Sequence, residues 1–325
     1  MPKTRFPRLV RTLAACALAA PLAVAAQGYP TKPVRFVVPF APGGATDISA
    51  RIVGQKLGEI WGQTIVVDNK GGAAGNIAGA EMAKATPDGY TLFFTSGSVV
   101  TANEHIYANM PFNPAKDFVA VTNVVRGAQV IVVPANSPYK TLKDLIADAK
   151  QRPGALNYGH AGIGSQTHLA AENFLFAAGL DVQNVPYKGE GPAVADLVAG
   201  QTNFATPNLA AAIAFINQGK LRALAVTGRE RAPQLPEVPT VAETLPGFEN
   251  YGWFGLVAPA GTPKEIVDKI YRDTVKALDS TEMRARFYVQ GMTTVGNSPA
   301  DFERDMRAER ARWGEVVKQR KISVK

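Results

Sequence analysis

Residues 34–47 read VRFVVPFAPGGATD and decide the fold class of the chain. Residues 34–39 are almost wholly apolar and rich in valine, which is typical of a buried strand in a parallel sheet. The turn Pro42-Gly43-Gly44 follows, and apolar residues then recur at helical spacing from Ile48 to Trp61. The stretch therefore predicts a strand, a glycine-rich turn and a helix, which is the repeating unit of an α/β sheet.

A second turn of the same kind lies in residues 156–165, LNYGHAGIGS, and its helix is predicted to begin at Ser165. Glycine lets backbone N–H groups approach a ligand closely, because it has no Cβ and tolerates positive φ. The helix behind each turn adds free N–H donors and a partial positive charge. Two such turns, far apart in the sequence, predict two anion-binding groups that hold a small acid between two lobes.

Strands and helices alternate along the rest of the chain, and its length is enough for two domains. This pattern predicts an α/β fold with doubly wound, mainly parallel sheets. The further strands are expected at Thr64–Asp68, Tyr90–Thr95, Gln129–Val133, Val182–Val185, Leu221–Thr227 and Trp253–Ala258. Later helices are expected at Leu142–Gln151, Pro192–Ala199, Pro263–Leu278 and Pro299–Arg320.

The N-terminal residues have the pattern of a secretory signal peptide. Four basic residues and no acid precede Leu13, and a small-residue apolar run then continues to Ala26. The run is too short for a membrane span and ends in a small-residue cleavage site, so residues 1–26 are expected to be removed near Ala26 on export to the periplasm. Cys16 lies in a lipoprotein-like box, which leaves lipidation as an alternative.

Charge and cysteine content exclude several classes of function. The net charge of +8 includes four basic residues of the leader, so the mature chain carries 31 basic and 27 acidic residues, a net +4. These basic residues are scattered, which argues against nucleic acid as a partner. Without the leader the chain has no cysteine, and its three histidines lack metal-ligand spacing, so neither a metal nor a cofactor is predicted.

Several motifs in a fixed order resemble the TctC or Bug family, the substrate-binding receptors of tripartite tricarboxylate transporters. The resemblance covers nearly all of the mature chain. Its markers are residues 37–44, Asp47 and Arg51, residues 69–75, 87–92 and 116–118, residues 162–165 with His168, and residues 185–189, 219–227 and 238–243.

The resemblance implies a two-lobed fold of the periplasmic type II kind, a Venus flytrap with each lobe a mainly parallel sheet. The first lobe is expected to comprise residues 27–127 and 250–325, and the second residues 128–249. It also implies a monomer that binds a small organic acid, with one or two carboxylates, and passes it to a membrane permease with a large and a small subunit. A ligand-sensing subunit for a membrane sensor kinase is the alternative.

Candidate ligand-binding residues cluster on the turns and strand ends that the two lobes are expected to bring together. Asp47 and Thr46 have a capping role as their alternative, and Ser165 is a good N-cap in its own right. We expect bulk at Gly43 to block the approach of the backbone amides. The full set is Pro42, Gly43, Gly44, Thr46, Asp47, Ser96, Ser98, Gly164, Ser165, Thr167, His168, Tyr187 and Asn208.

The chain departs from the family at one motif. Where the family often has Phe-Asp-Asn-Leu, this chain has Thr206-Pro207-Asn208-Leu209, so the pocket around the variable end of the ligand is expected to differ.

A secreted serine hydrolase is a remote alternative. The sequence after Ser165 breaks the Gly-x-Ser-x-Gly elbow, and His168 is only three residues away on the same helical turn, a poor geometry for a base and its nucleophile. No enzymatic activity is therefore expected.

Overall fold

The computed structural model describes residues 28–320 and 322–324. The predicted signal peptide, its cleavage near Ala26 and the lipidation alternative at Cys16 lie outside these residues.

The described chain alternates strands and helices. The strands are β1 Val34–Val38, β2 Ile65–Asn69, β3 Thr91–Ser96, β4 Phe118–Ala128, β5 Val130–Pro134, β6 Asn157–His160, β7 Gln183–Pro186, β8 Phe204–Ala205, β9 Leu221–Val226, β10 Tyr251–Pro259 and β11 Met292–Thr294. The helices are α1 Ala45–Trp61, α2 Asn76–Met82, α3 Gly97–Thr101, α4 Asn103–Ile106, α5 Pro114–Asp117, α6 Leu142–Gln151, α7 Gln166–Ala178, α8 Glu190–Val198, α9 Leu209–Asn217, α10 Lys264–Leu278, α11 Thr281–Tyr288 and α12 Pro299–Arg320.

Two sheets form the two lobes. The first has the strand order β11-β4-β10-β3-β1-β2 and the second β7-β6-β8-β5-β9. In the first sheet β1, β2 and β3 are parallel, and β10 runs antiparallel to both β3 and β4. In the second, β6, β7 and β8 are parallel, and β5 runs antiparallel to β8 and β9. Four strands of each sheet therefore share one direction, as expected for the predicted α/β fold class.

Each sheet is covered by apolar side chains on both faces. In the first lobe, Phe36 and Phe94 belong to one buried cluster and Val37 and Phe93 to another, because neighbouring residues of a strand face opposite sides. The second lobe has the same arrangement, with Ile131 in one cluster and Val132 in the other. Among the parallel strands, β1 and β3 are buried almost throughout, and this burial on both faces explains their mainly apolar sequences.

The chain crosses between the sheets at β4–β5 and again between β9 and β10. Strand β4 was missed by the sequence interpretation, although it has 11 residues. Its pairing with β10 shifts register twice, so its polar residues do not alternate regularly with apolar ones. The lobe boundaries at residues 127/128 and 249/250 stay a prediction.

Candidate functional site

The turn after β1 is shaped by Gly43 and Asp47. Gly43 has a φ of 86°, a value that favours glycine, and its N–H donates to Asp47 Oδ2 at 3.0 Å. Asp47 also pairs with Arg51 at 2.9 Å. This carboxylate therefore holds the turn in place. An added Cβ at Gly43 would meet only Gly191 Cα, at 3.7 Å, so its positive φ, and not a lack of space, requires glycine there.

The turn after β6 is held by hydroxyl groups. Ser165 is the N-cap of α7, where its Oγ accepts the N–H of His168 at 3.3 Å. Thr167 Oγ1 accepts the N–H of Ala161 at 2.9 Å and lies 3.1 Å from Ser165 Oγ. Gly162 and Gly164 have φ values of 113° and 95°. The first turn of α7 is thus fixed with its N–H groups directed out of the helix end.

A small, partly enclosed cavity of about 10 Å³ lies between these two turns. Six of the predicted residues line it: Gly44, Thr46, Ser96, Ser165, Thr167 and Asn208. The other lining residues are Phe40, Ala161, Gln166, Glu190 and Phe254. Within the described part of the chain, this lining includes no lysine, arginine or histidine. The groups that this lining offers to an anion are therefore backbone N–H groups, hydroxyls and side-chain amides, beside the Glu190 carboxylate.

The remaining predicted residues do not line this cavity. Pro42, Gly43 and Asp47 shape the first turn, and Gly164 shapes the second. Ser98 does not line the cavity, but its Oγ lies 3.2 Å from the Oγ of the lining residue Ser96. Tyr187 lines a larger, open cavity of about 620 Å³ that also involves residues 72–74 and 162–163, and its hydroxyl donates to Asp196 at 2.8 Å.

His168 is paired with His160 behind the second turn. The two ring centroids lie 4.6 Å apart, and both side chains are buried. Gly164 donates its N–H to His168 Nδ1 at 3.3 Å, and Gly162 donates its N–H to His160 Nδ1 at 3.2 Å. Burial lowers the pKa of His160 to about 4 and that of His168 to about 3, helped for His168 by the neighbouring His160. Both rings are therefore neutral supports of the turn.

Glu190 is the charged lining residue that the sequence interpretation missed. It begins α8 in the second lobe, and its Oε2 accepts the N–H of Ala45, the first residue of α1, at 2.7 Å. Its Oε1 accepts the N–H of Asn208 at 3.1 Å and the Asn208 side-chain amide. Burial raises the pKa of Glu190, and the hydrogen bonds from Ala45 and Asn208 act in the opposite direction. The sequence signal was a carboxylate between two glycines at the start of a helix.

The two lobes also touch through their backbones beside Glu190. Ala41 donates its N–H to the carbonyl of Lys188 at 3.0 Å. A Cβ on Gly191 would lie 2.2 Å from the carbonyl oxygen of Pro42, and a Cβ on Gly189 would lie 2.8 Å from the nitrogen of Ala41. Glycine is therefore required at both positions for this approach, and residues 188–191 form the contact across the cleft.

A buried polar network runs from Glu190 to the crossings between the sheets. Asn208 Oδ1 accepts a hydrogen bond from Gln129 Nε2 at 3.0 Å. Gln129 Oε1 in turn accepts one from Asn250 Nδ2 at 2.9 Å, and the Gln129 N–H donates to Thr227 Oγ1 at 2.8 Å. Gln129 lies between β4 and β5, while Thr227 and Asn250 lie on the second crossing. The cavity is thereby connected to both points where the lobes join.

The described residues contain no metal-binding cluster and no membrane-spanning helix. Across residues 28–320 and 322–324, no cluster of three or more histidine, cysteine, aspartate or glutamate side chains is arranged to hold a metal ion. Among the helices of that same part of the chain, none has the length and apolar character needed to cross a bilayer.

The protein has two sheets flanked by helices and joined by two crossing segments, and helix N-termini from both lobes lie at one cavity. This arrangement is that of a periplasmic solute-binding protein. The model of the tripartite tricarboxylate transporter family receptor (TctC) matches residues 49–322, and the chain belongs to this family. The resemblance seen in the sequence is confirmed. Because this family and its structural neighbours are binding proteins, the hydrolase alternative is set aside.

Individual relatives agree with this assignment. Protein BugT of Bordetella pertussis (strain Tohama I) is 37% identical over 309 residues, 94% of each chain. The structure of R. palustris Rpa4515 with adipate has a TM-score of 0.88 and 38% identity, and the match covers 91% of this chain and 99% of that one. The structure of MatC from Rhodopseudomonas palustris with bound malate has a TM-score of 0.85 and 32% identity, with coverages of 89% and 100%.

Proposed function

We propose that this receptor captures a small organic acid in the cavity between the β1–α1 and β6–α7 turns. One observation carries the proposal. The N-termini of α1 and α7, from opposite lobes, meet at a cavity whose described lining carries hydroxyls, amides and the Glu190 carboxylate but no cationic side chain. Helix N-termini favour anions, and N–H groups in the first turn have no acceptor within their own helix.

The known ligands of relatives support an acid as the ligand. Rpa4515 was solved with adipate and MatC with malate, and both of these proteins resemble this chain over most of its length. Ligand binding would hold the two lobes together about the crossings at Gln129 and Thr227–Asn250, shifting the population toward the closed form.

Delivery to a membrane permease with a large and a small subunit is the partner function we propose for the loaded receptor. The family model, that of a tripartite tricarboxylate transporter receptor, favours transport. Docking on a membrane sensor kinase is the second candidate. Genes for permease subunits beside this one would support the first, and a sensor kinase gene in that position would support the second.

The first experiment is a thermal-shift screen of the chain without residues 1–26, refolded from denaturant to remove carried ligand. The panel contains mono-, di- and tricarboxylates, half-amides, amino acids and uncharged amides of matched length. A ligand at about 100 times its Kd stabilises the folded state by about 2.7 kcal/mol, which raises the Tm measurably. We expect stabilisation by acids of one class. Stabilisation by uncharged amides alone, or by nothing in the panel, would contradict the proposal.

A further inference from the structure

Glu190 contributes a negative charge to the wall of the ligand cavity. Its side chain is only 7% exposed, and the other polar side chains of the described lining are neutral. It is 145 residues from Ala45 in the sequence, yet its carboxylate lies against the N-terminus of α1. The position that would attract a ligand carboxylate in the first lobe is therefore already occupied by one that belongs to the protein.

The hydrogen bonds around Glu190 occupy most of the acceptor positions of its carboxylate. An ionised carboxylate accepts about four hydrogen bonds through its two oxygens. Both lone pairs of Oε1 are taken by the backbone and side chain of Asn208, and one of Oε2 is taken by Ala45 N–H. Both oxygens accept N–H donors, and these hydrogen bonds favour the ionised form against the opposing effect of burial. One acceptor position is left, on Oε2, and it can accept a hydrogen bond from an N–H or O–H group of a ligand.

The second helix N-terminus remains for the ligand. Backbone N–H groups of the first turn of α7 and the Ser165 and Thr167 hydroxyls lie on the other side of the same cavity. A carboxylate at α7 is stabilised there, whereas a second ligand carboxylate at the α1 side would lie close to Glu190. Two like charges about 5 Å apart in a site with an effective dielectric near 20 repel strongly enough to lower affinity on the order of 100-fold.

We infer that Glu190 makes this receptor select acids with one carboxylate and, at the opposite end, an N–H or O–H donor such as an amide, ammonium or hydroxyl group. The inference rests on the proposed function and narrows its ligand class. The carboxylate binds at the N-terminus of α7, and the donor at the far end hydrogen-bonds to Glu190 Oε2. A dicarboxylate of the same length places its second charge beside Glu190 and binds more weakly.

The test is isothermal titration calorimetry with matched pairs of ligands. Each pair joins a dicarboxylate to its half-amide, which has nearly the same shape but replaces one charge with an N–H donor: succinate and succinamate, glutarate and glutaramate, adipate and adipamate. An ω-amino acid of similar length accompanies each pair and reports on an ammonium donor. In the wild type we expect the half-amide or amino acid of the best-fitting length to bind at least tenfold more tightly than the dicarboxylate.

Glu190→Gln is the decisive variant, because it keeps the shape of the side chain and removes its charge. It should reduce the preference for the half-amide at least tenfold, mainly by improved dicarboxylate binding. Glu309→Gln is the matched control. Glu309 is a half-buried carboxylate, bonded to the indole N–H groups of Trp253 and Trp313 at 2.5 and 3.2 Å, but it lies outside the cavity lining. This control should keep the wild-type preference.

The outcomes separate the inference from the function on which it rests. Tighter binding of a dicarboxylate than of its half-amide by the wild type would overturn the inference, even if Glu190→Gln fails to fold, and would leave acid binding established. An unchanged preference in a folded Glu190→Gln protein would also overturn it. Absence of binding by every acid of the series, in wild type and variant, would overturn the proposed function itself.

Discussion

The buried pair His160 and His168 makes the stability of the second turn depend on pH. Each ring accepts a backbone N–H at Nδ1, so the proton of the neutral ring is on Nε2. Nε2 of His160 lies 3.3 Å from Asn184 Oδ1, and Nε2 of His168 lies 3.9 Å from Glu172. The Glu172 carboxylate is engaged by the Tyr158 hydroxyl at 2.6 Å. Burial outweighs this nearby charge, and the pKa of both rings is lowered.

Because these pKa values are lower in the folded state, the unfolded chain binds more protons below pH 6.5. Stability is therefore full above about pH 6.5 and is lost as pH falls toward the folded values of about 4 and about 3. Each histidine contributes a slope of up to about 1.4 kcal/mol per pH unit. We expect the two histidines together to lower the free energy of unfolding, measured by urea denaturation, by about 3 kcal/mol between pH 6.5 and 5.

The variant that tests this assignment is His168→Gln, which should remove about half of that fall. His105→Gln is the control, because His105 is exposed and lies outside the turn. The carboxylates whose pKa values are lowered to about 2, Asp148 and Glu243, lose their contribution at lower pH, so they leave this window unaffected. A wild-type stability that stays constant from pH 6.5 to 5 would contradict the assignment.

At the scale of the element, an N-cap can serve stability and binding at once. Ser165 caps α7 at the cavity, and Thr141 caps α6 through a capping box with Asp144, away from the cavity. Replacing either cap by alanine should cost about 1 kcal/mol of unfolding free energy. Only Ser165→Ala should also weaken ligand binding, by about tenfold, because a hydrogen bond to a charged group contributes about 1.5 kcal/mol or more.

Chemical denaturation and calorimetry on both variants separate these two effects. Thr141→Ala provides the reference for a cap that supports its helix alone. Equal losses of affinity in the two variants would mean that Ser165 acts only through the general stability of the lobe. An unchanged affinity in Ser165→Ala would show that the Ser165 hydroxyl does not contact the ligand.

The elements near the two turns could be predicted from the sequence because their signals are local. Strand β1, its glycine turn and helix α1 are neighbours in the chain, and so are β6, Ser165 and α7. The role of Glu190 is different, because its partner Ala45 is 145 residues away. The two flanking glycines mark Glu190 as unusual, but no local pattern identifies its partner. Strand β4 was missed for a related reason: its pairing with β10 contains irregularities that hide the strand period.

At the scale of the whole molecule, the lobes meet at both ends of the cleft. On one side, the network of Gln129, Thr227 and Asn250 joins the two crossings. On the other, residues 188–191 approach residues 41–43 closely enough that backbone touches backbone. A third contact is made by the end of α12, where Arg320 stacks 4.5 Å from the ring of Phe176 on α7. The contacts that hold the lobes together therefore join residues far apart in the sequence.

A substitution at Gly191 should affect the contact between the lobes without affecting the folding of either lobe. Its backbone is helical, so alanine suits α8 and should leave the unfolding free energy unchanged or raise it by up to about 1 kcal/mol. The added Cβ would nevertheless lie 2.2 Å from the carbonyl oxygen of Pro42 on the other lobe, a distance that forces the lobes apart. We expect Gly191→Ala to bind the receptor's ligand at least about tenfold more weakly, since part of the binding free energy is then spent on distorting the contact.

Small-angle scattering with and without saturating ligand, together with calorimetry, measures both consequences. The wild type should become more compact on binding, and Gly191→Ala should do so less. Gly28→Ala is the control, because its Cβ would make an ordinary contact of 3.5 Å with Thr31 within the first lobe. A Gly191→Ala protein that binds and compacts like the wild type would show that the bound receptor does not make this backbone contact. The closed geometry at residues 188–191, and with it the position of Glu190 against α1, would then belong to a state other than the ligand-bound one.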